Sequence, residues 1–163
     1  MRCFVVMGVA GCGKSTVGLA VAEAVGATYL DGDDLHPESN IAKMSSGRSL
    51  NDDDRAPWLD KVGAALRVRD GTVLIGCSAL KRAYRDRIRA AAGEQVRFLH
   101  LAGARGVIEA RMSVRSGHFM PVTLLDSQFA ALEPLQADED GIAVDIDQPI
   151  ARVVAQIASA IQG

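Results

Sequence analysis

Five short runs of mainly apolar residues punctuate the chain, at positions 3–7, 27–30, 73–77, 96–101 and 142–146. Each is too short for a buried helix, and the clearest of them, Cys3-Phe4-Val5-Val6-Met7, has no polar alternation, as a parallel strand covered on both faces requires. The intervening stretches predict helices over 14–25, 37–46, 53–69, 81–92, 104–114, 122–132 and 149–161. Gly26, Gly47 and Gly93 stand where three of these helices should stop, and Pro37 and Pro149 stand in first turns, where a missing N–H costs nothing. Strands alternating with helices predict βαβ units and a five-stranded parallel sheet between two helical layers. No period of 20–50 residues repeats and no segment is of low complexity, so residues 1–163 read as a single domain.

Composition narrows the partners. The 163 residues are 48% hydrophobic and 4% aromatic, and 18 Lys and Arg against 20 Asp and Glu leave a net charge of −2. Such a balance excludes a globally basic nucleic-acid binder and a disordered acidic chain. The charge is unevenly placed: residues 31–60 carry eight acids and three bases, residues 81–118 nine bases and three acids. A neutral total with a basic half suits a small anionic ligand. Cys3, Cys12 and Cys77 form no C-x-x-C pair, which argues against a disulfide framework or zinc site and for reduced thiols in a cytoplasm. The longest apolar run, 3–13, falls short of the roughly 18 residues needed to span a bilayer. A secretory leader is rejected as well, because Lys14 and Ser15 interrupt the apolar stretch; no membrane association is expected.

Chemistry begins where the first strand meets the first helix. Gly8-Val9-Ala10-Gly11-Cys12-Gly13-Lys14-Ser15 satisfies G-x-x-x-x-G-K-[ST] in the strand–helix context that a phosphate loop needs. Glycines let successive backbone N–H groups of residues 8–15 turn inward around phosphate oxygens, and the helix beginning at Lys14 adds the positive end of its dipole. Lys14 supplies a point charge for the β- and γ-phosphates of ATP, and the Ser15 hydroxyl can ligate Mg²⁺. Thr16 either touches the α-phosphate or is an ordinary first-turn residue. Cys12 reads as a small packing residue rather than a redox-sensitive thiol.

The second strand runs into Asp31-Gly32-Asp33-Asp34-Leu35-His36-Pro37. Carboxylates at the carboxyl end of a strand stand where parallel sheets bind ligands. One of Asp31 and Asp33 can face the water shell of Mg²⁺ while the other accepts a proton from an acceptor hydroxyl; we assign Asp31 to the metal and Asp33 to catalysis. The chain has no N-K-x-D for guanine recognition and no room for the added domains of a motor, which leaves a small-molecule kinase or a nucleotide-binding regulator without catalysis; the candidate base Asp33 and the basic stretch around Arg111 and Arg115 favour the kinase.

At this point a resemblance becomes specific. The segments Asp31 to Pro37, Asn40-Ile41-Ala42-Lys43-Met44, Leu50-Asn51-Asp52-Asp53-Asp54-Arg55-Ala56-Pro57-Trp58-Leu59, Cys77-Ser78-Ala79-Leu80-Lys81-Arg82-Ala83-Tyr84-Arg85-Asp86, Gly117-His118-Phe119-Met120 and Val144-Asp145-Ile146-Asp147-Gln148-Pro149 resemble, in order, those of the gluconokinase family. The resemblance implies a P-loop kinase fold similar to those of shikimate and nucleoside monophosphate kinases, with a helical lid at about 111–122. It implies transfer of the γ-phosphoryl group of ATP to the 6-hydroxyl of D-gluconate, with Mg²⁺, in a homodimer. A shikimate-type small-molecule kinase is the alternative. The chain departs from the family pattern at Ala10, Cys12 and Ser49, none of which removes a charged or nucleophilic group.

For the sugar acid the resemblance favours Asp33, His36, Lys43, Arg55, Ser78 and Lys81; His36 can equally cap the turn before Pro37, and Lys43 can equally lie on a solvated helix face. For the nucleotide it favours Gly8, Ala10, Gly11, Cys12, Gly13, Lys14, Ser15 and Thr16, together with Arg111 and Arg115 four residues apart on one helix face, Arg115 being expected to act in catalysis with Lys14 and Asp33. Asn51 or Asp52 is expected to cap the next helix rather than bind metal, and Trp58 to anchor packing. Most of the basic face formed by Arg82, Arg85 and Arg89 is expected to be solvated, with one arginine able to reach the site, and Asp147-Gln148-Pro149 is expected to border the adenine.

Overall fold

The computed structural model describes residues 1–114 and 122–163, with the helical backbone alone for 112–114 and 122–124. Arg115, Gly117, His118, Phe119 and Met120, and with them most of the expected lid, lie outside the described residues. In chain order the elements are β1 (Cys3–Met7), α1 (Lys14–Val25), β2 (Thr28–Asp31), α2 (Glu38–Ser45), α3 (Asp52–Val68), β3 (Val73–Gly76), α4 (Arg82–Ala92), β4 (Val96–Ala102), α5 (Arg105–Val114), α6 (Val122–Ala131), β5 (Gly141–Asp145) and α7 (Ile150–Gln162). Every expected strand and helix is present, with ends within about two residues. A 3₁₀ turn over Gly32–Leu35 was not foreseen.

The five strands form one sheet in the order β2-β3-β1-β4-β5, parallel throughout. β1 is central and buried at every position. Its alternation builds both halves of the core: Phe4 and Val6 join the cluster under α1 and α7, while Cys3, Val5 and Met7 join the cluster under α3 and α4. Because all strands point the same way, the carboxyl ends of β1, β2 and β3 deliver their following loops to one edge of the sheet.

The α3–α4 contact depends on a missing side chain. A Cβ at Gly63 would stand 2.5 Å from the Ala91 Cβ and 2.7 Å from the Ile88 carbonyl oxygen. At Gly106 of α5 a Cβ would meet nothing within 4 Å. Gly63→Ala is therefore expected to destabilise the fold, overpacking of about 1–3 kcal/mol outweighing a helix-propensity gain of about 1 kcal/mol. Gly106→Ala is expected to stabilise it by about 0.5–1 kcal/mol. Urea unfolding followed through Trp58 fluorescence checks both signs.

Candidate active site

The loop after β1 is shaped by backbone constraint. Gly8, Gly11 and Gly13 have φ of 148°, 83° and 98°, values at which L side chains are strained. Gly8 is also sterically enforced, since a Cβ there would lie 2.7 Å from the Cys12 Sγ and 3.0 Å from the Leu101 oxygen. Lys14 Nζ reaches back across the loop and donates to the Gly8 and Val9 carbonyls at 3.0 and 3.2 Å. Ala10 N donates to the Gln128 Oε1 of α6 at 2.5 Å, a tether with no sequence signal. Cys12 is fully buried, and burial pushes its thiol up, so it packs beneath the loop as a neutral side chain.

Beside the loop opens a cavity of about 780 Å³, bounded by Gly11, Gly13 and Thr16 on one side and by Val107, Arg111 and Pro149 on others. Arg111 donates to the Ile146 and Gln148 carbonyls and so ties α5 to the β5–α7 turn. Asp147 and Gln148 line the same space, as the sequence suggested. The cavity's largely apolar lining next to the glycine loop and the N-terminus of α1 suits a nucleoside attached to phosphates.

On the other side of the loop, Asp31 is the last residue of β2 rather than the first beyond it. Its Oδ1 accepts from Asp33 N at 2.9 Å and caps the 3₁₀ turn. Desolvation and the neighbouring Asp31 raise the Asp33 carboxyl above its ordinary value, against the opposing pull of Lys14 and His36. His36 stacks on Trp58 with ring centroids 4.1 Å apart. Trp58, 5% exposed, donates from Nε1 to the Gly32 carbonyl at 2.7 Å, so it anchors both the turn and the histidine. Asn40 Nδ2 donates to the Asp54 carbonyl at 2.9 Å and lies 3.2 Å from His36 Nδ1. The carbonyl partner identifies this Asn40 atom as nitrogen, so His36 accepts at Nδ1 and carries its proton on Nε2. Burial, with help from Arg55, lowers the histidine's pKa, favouring the neutral ring.

Asn51 caps α3 in a reciprocal box with Asp54, as the acidic first turn suggested. Lys43 is half-buried and paired: its Nζ donates to Asp54 Oδ2 at 2.6 Å, clasping α2 to α3. Arg55 leaves the same turn and donates to the Tyr84 hydroxyl at 3.3 Å and to Asp52 at 3.4 Å. Lys81 lies 5.8 Å from the Tyr84 ring centroid.

The loop joining β3 to α4 is held from several sides. Gly8 N donates to the Ser78 carbonyl at 3.2 Å, linking the two loops directly. Ala79 sits at φ 46°, the only non-glycine with positive φ among the described residues. Here the expected basic surface is overturned. Arg85 is fully buried, and its guanidinium donates to the Ala79 and Leu80 carbonyls at 2.9 and 3.3 Å and bidentately to Glu139 at 2.7 and 2.9 Å. Arg89 also reaches Glu139, and Arg82 pairs with Asp138. Apolar Ile88 and Ala92, three and seven residues beyond Arg85, were the available signal: all three are buried, and the arginine lies on the inward face of its helix.

No family model matches the chain. The thermosensitive gluconokinase of Escherichia coli (strain K12) is 49% identical over 162 residues, covering 97% of this chain and 86% of that protein. A crystal structure of a gluconokinase from Sinorhizobium meliloti superposes with a TM-score of 0.86 at 44% identity, covering 99% of this chain and 95% of that one. The shikimate kinase of Aquifex aeolicus superposes with a TM-score of 0.65 at 16% identity over the whole of this chain and 97% of its own, a likeness of fold alone.

Burial would raise the Glu139 carboxyl, but hydrogen bonds from Arg85, the Gln136 amide and Arg89 bring it down to about 2. A carboxyl depressed on folding contributes stability above its unfolded pKa of about 4.5 and loses it as pH falls towards about 2. Chemical denaturation between pH 6 and pH 2 is expected to show this loss in the wild type. In Glu139→Gln that part of the slope should vanish, with a lower starting stability because Arg85 then stands without its counter-ion.

Proposed function

The chain belongs to the gluconokinase family, and we propose that its cleft transfers the γ-phosphoryl group of ATP to the 6-hydroxyl of D-gluconate, giving 6-phosphogluconate and ADP. The observation that carries the reading is the pairing of a phosphate loop with a raised carboxyl on its acceptor side: Asp33 lies within electrostatic reach of Lys14 and of His36, and His36 within reach of Arg55. That sequence of groups runs from where phosphate would sit to where two cations, Arg55 and Lys81, would meet the carboxylate of a sugar acid.

The backbone amides of Gly11, Gly13, Lys14 and Ser15 at the start of α1 cradle the nucleotide's phosphates and Lys14 adds a charge, while Gly8, Ala10 and Cys12, whose amides donate to Ser78, Gln128 and Val9, hold the shape of the loop. Thr16 and Arg111 border the nucleoside cavity. Among the described residues no group of three or more His, Cys, Asp or Glu stands ready to hold a metal. The donor set instead suits Mg²⁺ held by bound phosphates and water, with the exposed Ser15 hydroxyl and the second Asp31 oxygen as protein partners. When bound, such an ion supplies charge neutralisation between the β- and γ-phosphates. Lys14 contributes the fixed positive charge on the same oxygens.

Asp33 accepts the proton of the acceptor hydroxyl as its oxygen bonds to the γ-phosphorus and the bridging bond to ADP breaks. Neutral His36 offers its Nε2–H to an acceptor oxygen. Ser78 donates to a further hydroxyl, and Arg55 and Lys81 fix the carboxylate. Lys43 acts on the site through Asp54 and the α2–α3 clasp. The assignment of Arg115 to transition-state charge rests on the family resemblance. So do a homodimeric state and a cytoplasmic location; three buried, unpaired cysteines suit a reducing compartment, and among the described residues no helix is long and apolar enough to cross a membrane.

Lys14→Ala should lower gluconate phosphorylation by about 10³-fold or more while circular dichroism stays unchanged. A folded variant with wild-type turnover would refute the phosphate-loop reading. Asp33→Asn should lower kcat by about 10²–10⁴-fold, towards the low end if the transition state is loose, and leave nucleotide binding intact. Because the Asp33 pKa is raised, kcat/KM in the wild type should fall with acid at a pH above the ordinary aspartate range. Normal turnover in Asp33→Asn with a dead Asp31→Asn would reverse the two roles.

A further inference from the structure

Tyr84 was not singled out by the sequence, yet the two cations assigned to the sugar acid both meet it. It stands in the first turn of α4, three residues after Lys81 and across the helix pair from Arg55. Its hydroxyl donates to Asp52 Oδ1 at 2.6 Å and accepts from Arg55 Nη1 at 3.3 Å. The Arg55 guanidinium carbon lies 5.5 Å from the ring centroid and the Lys81 Nζ 5.8 Å, both within cation–π range. One phenol therefore touches two cations and one carboxylate.

Charge balance shows what this arrangement achieves. Asp52 is the only carboxylate that pairs with Arg55 among the described residues, and it does so at 3.4 Å, while its short bond goes to the phenol. Among the described residues Lys81 makes no salt bridge, and its charge acts on the same Asp52, so two cations share one carboxylate. The cluster thus keeps an unneutralised positive charge beside the acceptor groups. Without the hydroxyl, Asp52 would be free to draw Arg55 into a closer ion pair. Without the ring, both cations would lose the shared π surface that holds them side by side against their mutual repulsion. Burial and the neighbouring Asp52 raise the phenol's pKa, so it remains a donor throughout the neutral range.

We propose that Tyr84 is a positioning residue that presents Arg55 and Lys81 together to the carboxylate of the acceptor, and thereby selects an acidic sugar over its neutral counterpart. The proposal rests on the gluconate reading above and adds to it the residue that keeps the cation pair available. Tyr84 acts through the two cations, and its effect belongs to acceptor affinity rather than to the chemical step.

The test compares wild type, Tyr84→Phe and Tyr84→Leu in steady-state kinetics with gluconate and with glucitol, which carries an alcohol in place of the carboxylate. Nucleotide affinity is measured separately by titration with a non-hydrolysable ATP analogue. Gluconate KM is expected to rise about threefold in Tyr84→Phe and about tenfold or more in Tyr84→Leu. Saturated kcat and nucleotide affinity should stay within about twofold, and the preference for gluconate over glucitol should shrink in the same order. Unchanged KM in both variants would overturn the proposal, as would a fall in kcat and nucleotide affinity alongside KM, the signature of a general structural role. A wild type inactive on gluconate would refute the functional reading itself and take this proposal with it. A wild type active on gluconate with unresponsive variants would refute the role of Tyr84 alone.

Discussion

The parallel pairing of β1 with β3 is the constraint on which the cleft depends. The register Val6 against Gly76 carries the two strands to their carboxyl ends side by side. Cys77 N then donates to the Val6 carbonyl and Gly8 N to the Ser78 carbonyl, so the ladder continues past both strands into their loops. One is the glycine loop proposed for phosphate and the other bears Ser78 and Lys81. Their separation is set by backbone hydrogen bonds, which are short, directional and costly to leave unpaired in a core. β2, on the far side of β3, brings Asp31 and the following 3₁₀ turn to the same edge, with Asp31 paired to Gly76.

Around this frame, the fixing interactions come from distant segments. Arg85, buried with Glu139, pulls the Ala79 and Leu80 carbonyls inward and stabilises a left-handed alanine in the middle of the β3–α4 loop. A buried ion pair with both partners well hydrogen-bonded adds little net stability against an apolar substitute, but removing one partner is expensive. Its contribution here is geometric. Trp58 does a similar service on the opposite wall, fastening the Gly32 carbonyl while its face orients His36. Such rigidity suits phosphoryl transfer, where catalysis rests mostly on positioning and electrostatics.

What was legible in the sequence follows from locality. The strands, the helices and the phosphate loop each declare themselves within ten residues, because period, capping and glycine conformation are local physics. Asn51 and its capping box were legible for the same reason. Arg85 was misread because its counter-ion lies 54 residues further along the chain, and three arginines on one short helix look like a solvated face. Its alignment with Ile88 and Ala92 was the clue. Lys43 was left between two readings, and its partner Asp54 belongs to the next helix. Gln128 gave no signal, and Tyr84 only its place in a family-like segment, since a single tyrosine or glutamine acquires its meaning only when the fold brings cations or a loop amide to it. The resemblance to gluconokinases nominated acceptor residues but gave none of the contacts that hold them.

The central claim is that one edge of the sheet joins a phosphate loop to a site for a sugar acid, with a base at the near end and cations at the far end. It is tested most directly by supplying Mg²⁺ and ATP with an equimolar mixture of gluconate, shikimate, glucose and adenosine monophosphate, and identifying the products by ³¹P and ¹³C nuclear magnetic resonance. The account predicts a single new phosphomonoester, on carbon 6 of gluconate, the position furthest from the carboxylate. Phosphorylation of shikimate or of the nucleotide, or of gluconate at a carbon next to its carboxylate, would contradict it.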